Sequence, residues 1–153
     1  MSLITSTEIR DIVNPDVSFD PAYFELNISY SEEVIKGILT IDLYNDVVAN
    51  PLTYTDLIDD YIKNALAYVV AFNSYEKDLE RSTANQGIME NNTQYSKSAD
   101  HDSARRTLAK IKDLEYFYCK KLGDYLLDNY QDFPLFDIDA ITYEPNLRRF
   151  FPI

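Results

Sequence analysis

Of the residues able to do chemistry, His101 and Cys119 are each the sole member of their type in a chain of 153 residues. His101 stands between Asp100 and Asp102, the setting of a general base oriented by a carboxylate. Sequence neighbours do not face one another on a helix, and no activated nucleophile is available to pair with it, so a polar residue in a loop or helical cap is the better reading. Cys119 is framed by Phe117, Tyr118, Lys120 and Lys121. The lysines would favour a thiolate, yet a half-buried small residue beside a helical stripe accounts for it more simply. Carboxylates pair at Glu32-Glu33 and Asp59-Asp60 and alternate at Asp137-Ile138-Asp139. Glycosidase chemistry needs two carboxylates on one cleft, and 26 acids in one chain give adjacent pairs by chance.

Metal and cofactor chemistry find no better support. One Cys and one His cannot supply the ligands of a structural zinc site, and a lone Cys forms no internal disulfide. No calcium loop is completed around Asp137, because the turn glycine is missing. Glycines stand singly at Gly37, Gly87 and Gly123, so neither a GxGxxG fingerprint nor a Walker A loop can be written. No cofactor, no metal and no catalytic residue set is expected. The 14 bases against 26 acids, a net charge of -12, argue against gripping duplex phosphates. The chain also carries 13 Tyr and 8 Phe. Single-strand binders pair their aromatics with a basic groove, so in an acidic chain the tyrosines read as helix-packing or interface residues whose hydroxyls reach the rim.

The elements that would position these residues are helical. A length near 150 fits one domain with a single core. Thr5-Ser6-Thr7-Glu8 has the capping-box form and predicts a short helix to about Val13, ending before Asn14-Pro15. Asp20-Pro21 predicts a second helix from Pro21 to about Gly37, with Asp as N-cap and Pro at the first helical position. A third, short helix spans Leu39 to Val48 and closes at Asn50-Pro51. Apolar residues at Ile58, Tyr61, Ala65, Tyr68, Phe72, Tyr75 and Leu79 recur at steps of three and four, predicting one buried face on a helix over 54–83. The series Ala104, Leu108, Ile111, Leu114, Tyr118, Leu122 and Tyr125 predicts a second long helix over 102–129. The two should pair antiparallel.

Between them, Ala84 to His101 is too long for a bare turn. Gly87-Ile88-Met89 and Thr93-Gln94-Tyr95 flank Glu90-Asn91-Asn92, which reads as a small β-hairpin. After Tyr130, three prolines and scattered large apolar residues, from Phe133 and Phe136 to Phe150, Phe151 and Ile153, predict an extended tail lying on this subunit or a neighbour. The expected fold is therefore all-α: two long antiparallel helices, shorter N-terminal helices, a hairpin insert at 84–101 within a helical unit of 1–131, and a tail over 132–153. The N-terminus lacks a signal-peptide pattern. The longest apolar run, Ala65 to Phe72, is far below the roughly 20 residues of a membrane span. The sequons at Asn27 and Asn91 then carry no weight.

Charge is unevenly spread. Residues 1–60 hold 12 acids and 2 bases, residues 61–121 hold 8 acids and 10 bases, and residues 122–153 hold 6 acids and 2 bases. Acidic ends around a mildly basic middle suit head-to-side packing of like subunits.

Read end to end, this layout resembles the head-tail connector (adaptor) proteins of tailed bacteriophages. The carrying features are Leu3-Ile4-Thr5 with Glu8, the helix after Asp20-Pro21, Leu43-Tyr44, and Asn64-Ala65-Leu66-Ala67-Tyr68. They continue through Ser82-Thr83-Ala84-Asn85-Gln86-Gly87-Ile88, Asn92-Thr93, and Ser98-Ala99-Asp100 leading into the last helix. The likeness covers most of the chain, is strongest over 53–130, and is nearest to connectors of phages of Bacteroidetes-type hosts, the crAss-like group included. It implies a non-enzymatic virion protein, a homo-oligomeric ring usually of twelve, placed at the neck beneath the portal vertex. The ring would bind the portal protein and a further neck or tail protein, let DNA pass without specific binding, touch no membrane, and occupy the host cytoplasm during assembly. On this reading, portal or inter-subunit contacts fall to Ile88, Met89 and Tyr95 of the insert and to Phe136, Arg148, Arg149, Phe150, Phe151 and Ile153 of the tail. Some connectors grip the portal with a C-terminal helix, and the Arg148–Ile153 segment departs from that pattern. An acidic DNA mimic that blocks a basic DNA-binding protein is the alternative; the near-neutral middle segment speaks against it.

Overall fold

The computed structural model describes residues 2–13, 21–86 and 94–141, with side chains placed at 2–13, 24–77 and 105–141. The helices are α1 (Ser6–Val13), α2 (Pro21–Leu39), α3 (Ile41–Ala49), α4 (Thr55–Leu57), α5 (Lys63–Gln86) and α6 (Gln94–Asp128). A π-helical turn, Ile58–Ile62, joins α4 to α5, and two 3-10 turns follow α6 at Tyr130–Asp132 and Ile138–Ala140.

The start signals act as the sequence predicts. The Glu8 amide donates to Thr5 Oγ1 at 3.3 Å while the Thr5 amide donates to Glu8 Oε2 at 2.8 Å, the two halves of a capping box. The second helix begins at Pro21; Asp20, its expected N-cap, lies outside the described residues. After α3, the Asn50 amide donates to the Asp46 carbonyl at 2.8 Å, and Asn50 Nδ2 to Asp46 Oδ1 at 2.7 Å, closing the helix ahead of Pro51.

The core forms around α5, which packs against α1, α2 and α6. Its segment Ala65 to Ala71 is buried at every position, not along one stripe. A helix apolar on all sides must be enclosed on all sides. This explains the eight-residue apolar run: it is the centre of a bundle, and among the described residues no helix is long and apolar enough to cross a membrane. From the π turn along α5 toward its C-terminus, Tyr61 stacks on Tyr125, Tyr68 on Tyr118, and Phe72 lies beneath Lys112. Partner numbers fall as α5 numbers rise, so α5 and α6 run antiparallel.

The hairpin insert requires correction. Ala84 to Gln86 continue α5, and Gln94 and Tyr95, expected in the returning strand, open α6; among the described residues there is no strand. Residues 87–93, with Ile88 and Met89, lie outside the described residues. Extending an existing helix by a turn costs little once it is nucleated, whereas an isolated two-stranded hairpin is marginal. The first part of the tail lies on its own subunit, one of the two placements expected, but it winds into a 3-10 turn at Ile138–Ala140 instead of running extended throughout. Phe133 is buried, and Phe136 and Ile141 pack against the core of their own subunit; residues 142–153 lie outside the described residues.

Two local features had no sequence signal. In the π turn, the Lys63 amide reaches the Ile58 carbonyl five residues back. Asn64 Nδ2 donates to the Asp60 carbonyl at 3.1 Å and to that of Asp59 at 3.5 Å, replacing amide donors that the turn displaces. Between α2 and α3, Thr40 holds φ 67° and ψ 157° although it is β-branched and buried. That region is nearly confined to glycine and costs about 1–3 kcal/mol. The Thr40 hydroxyl donates to the Leu135 carbonyl at 3.3 Å, pinning the segment after α6 to the α2–α3 corner. Thr40→Gly and Thr40→Ala both lose that bond, but only glycine relieves the backbone. Urea unfolding should find the glycine variant more stable than the alanine variant by about 1–2 kcal/mol.

Candidate functional site

Among the described side chains, the carboxylate pairs and Cys119 lie apart and are not gathered on one cleft. Glu32 accepts from Ser2 Oγ at 2.8 Å and from the Leu3 amide at 3.3 Å, fastening the N-terminal segment to α2, whereas Glu33 pairs with Lys36 at 2.5 Å. Tyr44 lies beside both carboxylates, and burial followed by their charge pushes its hydroxyl up to about 12. Asp59 Oδ1 meets Lys63 Nζ at 2.8 Å, and the same ammonium meets Glu8 Oε1 at 2.8 Å. Asp137 Oδ1 accepts from the Asp139 amide at 3.0 Å, a local cap on the 3-10 turn. Glu32, Glu33, Asp59 and Asp137 therefore serve separate structural contacts. Among the described residues, no group of three or more His, Cys, Asp or Glu could hold a metal ion.

Cys119 is buried in the core, and burial raises its thiol pKa, with Glu115 adding to the effect. The neighbouring lysines do not activate it. A thiol kept neutral and enclosed should resist an aromatic disulfide reagent at pH 8 and react no faster than the protein unfolds; rapid labelling of the native protein would contradict this burial. His101 lies within α6, with its side chain outside the described residues.

A second polar device lies between α2 and α5. Asn27, buried, donates to Ser74 Oγ at 2.9 Å and accepts from Lys77, while Ser74 Oγ donates to the Val70 carbonyl at 2.8 Å. Asn73 Nδ2 reaches Ser31 Oγ at 3.0 Å. The Asn27 sequon thus belongs to a buried amide that helps to set the α2–α5 register.

Among the described residues, an open cleft of about 250 Å³ is lined in part by Leu52, Tyr54, Leu57, Tyr125 and Phe133. Its floor is a run of rings. Tyr54 stacks near Phe133 at 6.4 Å, Phe133 meets Tyr125 edge-on at 5.9 Å, and Tyr125 stacks on Tyr61 at 4.0 Å. The Tyr54 hydroxyl donates to Asp46, which raises its pKa, and Lys121 sits 5.1 Å above the Tyr61 ring. Burial raises the Tyr125 pKa, and the charges of Asp56, Asp132 and Asp60 contribute to the rise. The cleft is therefore aromatic at its base and acidic around it.

Of the contact residues expected from sequence, Phe136 is half-buried against its own core, and Tyr95 lies at the start of α6 with its side chain outside the described residues. Ile88, Met89, Arg148, Arg149, Phe150, Phe151 and Ile153 lie outside the described residues. The sequence reading missed the apolar residues that stand outward: Leu26 and Tyr30 on α2, Leu52 before α4, and Phe117 on α6. Leu114, assigned to the buried stripe of α6, is exposed as well. The available signal was register. Leu26 and Tyr30 fall off the Phe24–Ile28–Ile35 stripe, and Phe117 falls off the Ile111–Leu122 stripe.

The Glu8–Lys63–Asp59 bridge has a defined pH dependence. Hydrogen bonding to Lys63 holds the Glu8 carboxyl below its ordinary value, so its contribution is present above the usual carboxylate range and lost as pH falls through the lowered pKa. Hydrogen bonding to Asp59 and Glu8 raises Lys63, whose contribution is present below its ordinary value and lost as pH rises through the raised one. The groups are partly solvated, so Lys63→Met should cost only about 0.5–1 kcal/mol at pH 7. Urea midpoints for variant and wild type should draw together as pH falls below the ordinary carboxylate range and through the lowered Glu8 value.

Comparison with known proteins gives no match to a curated protein or to a solved structure. One family model matches, over residues 28–142, and carries the description Family of unknown function (DUF6712). The match begins within α2 and runs through α5, α6 and the first turns beyond them, so it includes the enclosed helix and its antiparallel partner. The chain belongs to the DUF6712 family of unknown function.

Proposed function

We propose that this protein is a structural subunit that assembles with copies of itself into a ring at the neck of a tailed-phage virion, between portal and tail. The observation that carries the reading is the outward placement of large apolar side chains at helical spacing on two different helices. Leu26 is 78% exposed and Tyr30 65% exposed, one turn apart on α2; Leu114 and Phe117 stand one turn apart on α6, Phe117 at 56%. Single exposed apolar residues are ordinary. Paired ones at the spacing of adjacent turns make a patch, and patches mark contact surfaces. A ring subunit needs two unlike patches, because a heterologous contact uses a different surface on each side.

Charge supports the same reading. The acid excess in residues 1–60 and 122–153 suits a channel through which DNA moves without sticking, since phosphate binding depends on Lys and Arg. The DNA-mimic alternative is less favoured, because exposed Arg105, Arg106, Lys110, Lys112 and Lys121 interrupt any continuous negative face. The role is scaffolding, with no reaction assigned to the chain.

Native mass spectrometry of the purified chain should show species built in steps of 17.8 kDa, and negative-stain images of its mixture with the portal should show an added ring. A chain that stays monomeric both alone and with the portal would overturn the proposal.

A further inference from the structure

We infer that neighbouring subunits join by setting the outer face of α2 in one copy against the flank of α6 in the next. This rests on the ring reading above and adds the two surfaces that meet.

On α2, Phe24, Asn27, Ile28, Ser31 and Ile35 turn into the core. At about 100° per residue, Leu26 and Tyr30 then fall on the opposite side. Exposed Glu25 and Glu33 bracket this apolar pair on α2 itself, where no exposed base lies between Glu25 and Leu39; from α5, Lys77 donates to Asn27 and lies 6.0 Å from the Tyr30 ring, so the two carboxylates share this face with one cation. Glu33 keeps its bond to Lys36 yet remains 66% exposed.

On α6, Ile111, Cys119, Leu122 and Leu126 face the core. Arg106, Lys110, Leu114, Phe117 and Lys121, spaced by three and four residues, form an exposed row along one flank. Here the apolar pair Leu114 and Phe117 lies between Lys110 and Lys121, with Arg106 a further turn away. Among residues 105–121, Asp113 is the sole exposed acid. An apolar pair between carboxylates on one helix thus matches an apolar pair between cations on another.

The same charges decide the symmetry of the contact. Two α2 faces brought together would oppose Glu25 and Glu33 of each copy, and two α6 flanks would oppose Lys110 and Lys121. Like charges set against each other disfavour both two-fold pairings. Pairing α2 with α6 opposes unlike charges. It leaves one free α2 face and one free α6 flank on every dimer, so association continues until a ring closes.

The test uses full-length chains carrying Leu26→Lys or Phe117→Glu, with circular dichroism confirming unchanged helix content, as expected for exposed positions. Leu26→Lys places a cation against the Arg106 and Lys110 of the neighbour, and Phe117→Glu places an acid against Glu25 and Glu33. Each variant alone should associate at least about 10-fold more weakly than wild type, as loss of a central contact residue does. Mixing the two should restore complexes containing both chains, because each retains the face the other has lost. If either variant alone assembles like wild type, the assigned faces are wrong and the ring reading stands. Folded variants that stay monomeric when mixed, or a wild type that stops at dimers, would overturn the α2-to-α6 pairing. A wild type that never assembles, with or without portal, would overturn the ring reading and this inference together.

Discussion

The enclosure of Ala65–Ala71 on every side is the constraint on which the rest of the molecule depends. An ordinary surface helix needs one neighbour for its apolar stripe, but this segment needs them all round. α1, α2 and α6 are the walls. Burying seven consecutive side chains removes from water an area that would otherwise make the helix insoluble, at roughly 25 cal/mol per Å² of apolar surface. The buried stretch includes the small side chains of Ala65, Ala67 and Ala71, while Tyr68 supplies the ring that stacks on Tyr118.

Apolar enclosure is non-directional, so polar and aromatic contacts must set register. Asn27 and Ser74, 47 residues apart, hold α2 at one height on α5. Glu8 both caps α1 and pairs with Lys63, so the same carboxylate starts the first helix and places it against the fifth. The stacked pairs Tyr61–Tyr125 and Tyr68–Tyr118 fix α6. The π turn lies where Glu8, Asp59 and Lys63 converge, and Asn64 satisfies the carbonyls that the wider turn leaves open. Buried polar atoms without partners would make such a core costly; among the described side chains none is left unpartnered.

With the interior satisfied in this way, the outer surface carries the distinguishing information. Glu32, Glu33, Asp59 and Asp137 are committed to caps and bridges, and the cysteine is sealed. The outward apolar pairs on α2 and α6 differ in the charge around them, a pattern that suits repeated self-association better than a two-fold dimer. In such an assembly, each contact can be modest, because ring closure makes the contacts act together.

Local sequence determined where the first two helices start, where the third ends, and the period of the two long ones. Thr5 with Glu8, Pro21, and Asn50-Pro51 each act through neighbours within four residues, so their effect is legible without the fold. The stripes on α5 and α6 likewise announced two long helices, because burial of one face imposes a period near 3.6. Tertiary structure decided what periodicity cannot carry. It enclosed α5 on all sides, continued α6 through Gln94 and Tyr95 where a strand was expected, exposed Leu114, widened the turn at Ile58–Ile62, and held Thr40 at positive φ. Two of these rest on distant parts of the chain: Leu135 for Thr40, and the position of α6 relative to α5 for Leu114. A sequence pattern records that a residue is apolar, but only packing determines whether another part of the same chain covers it.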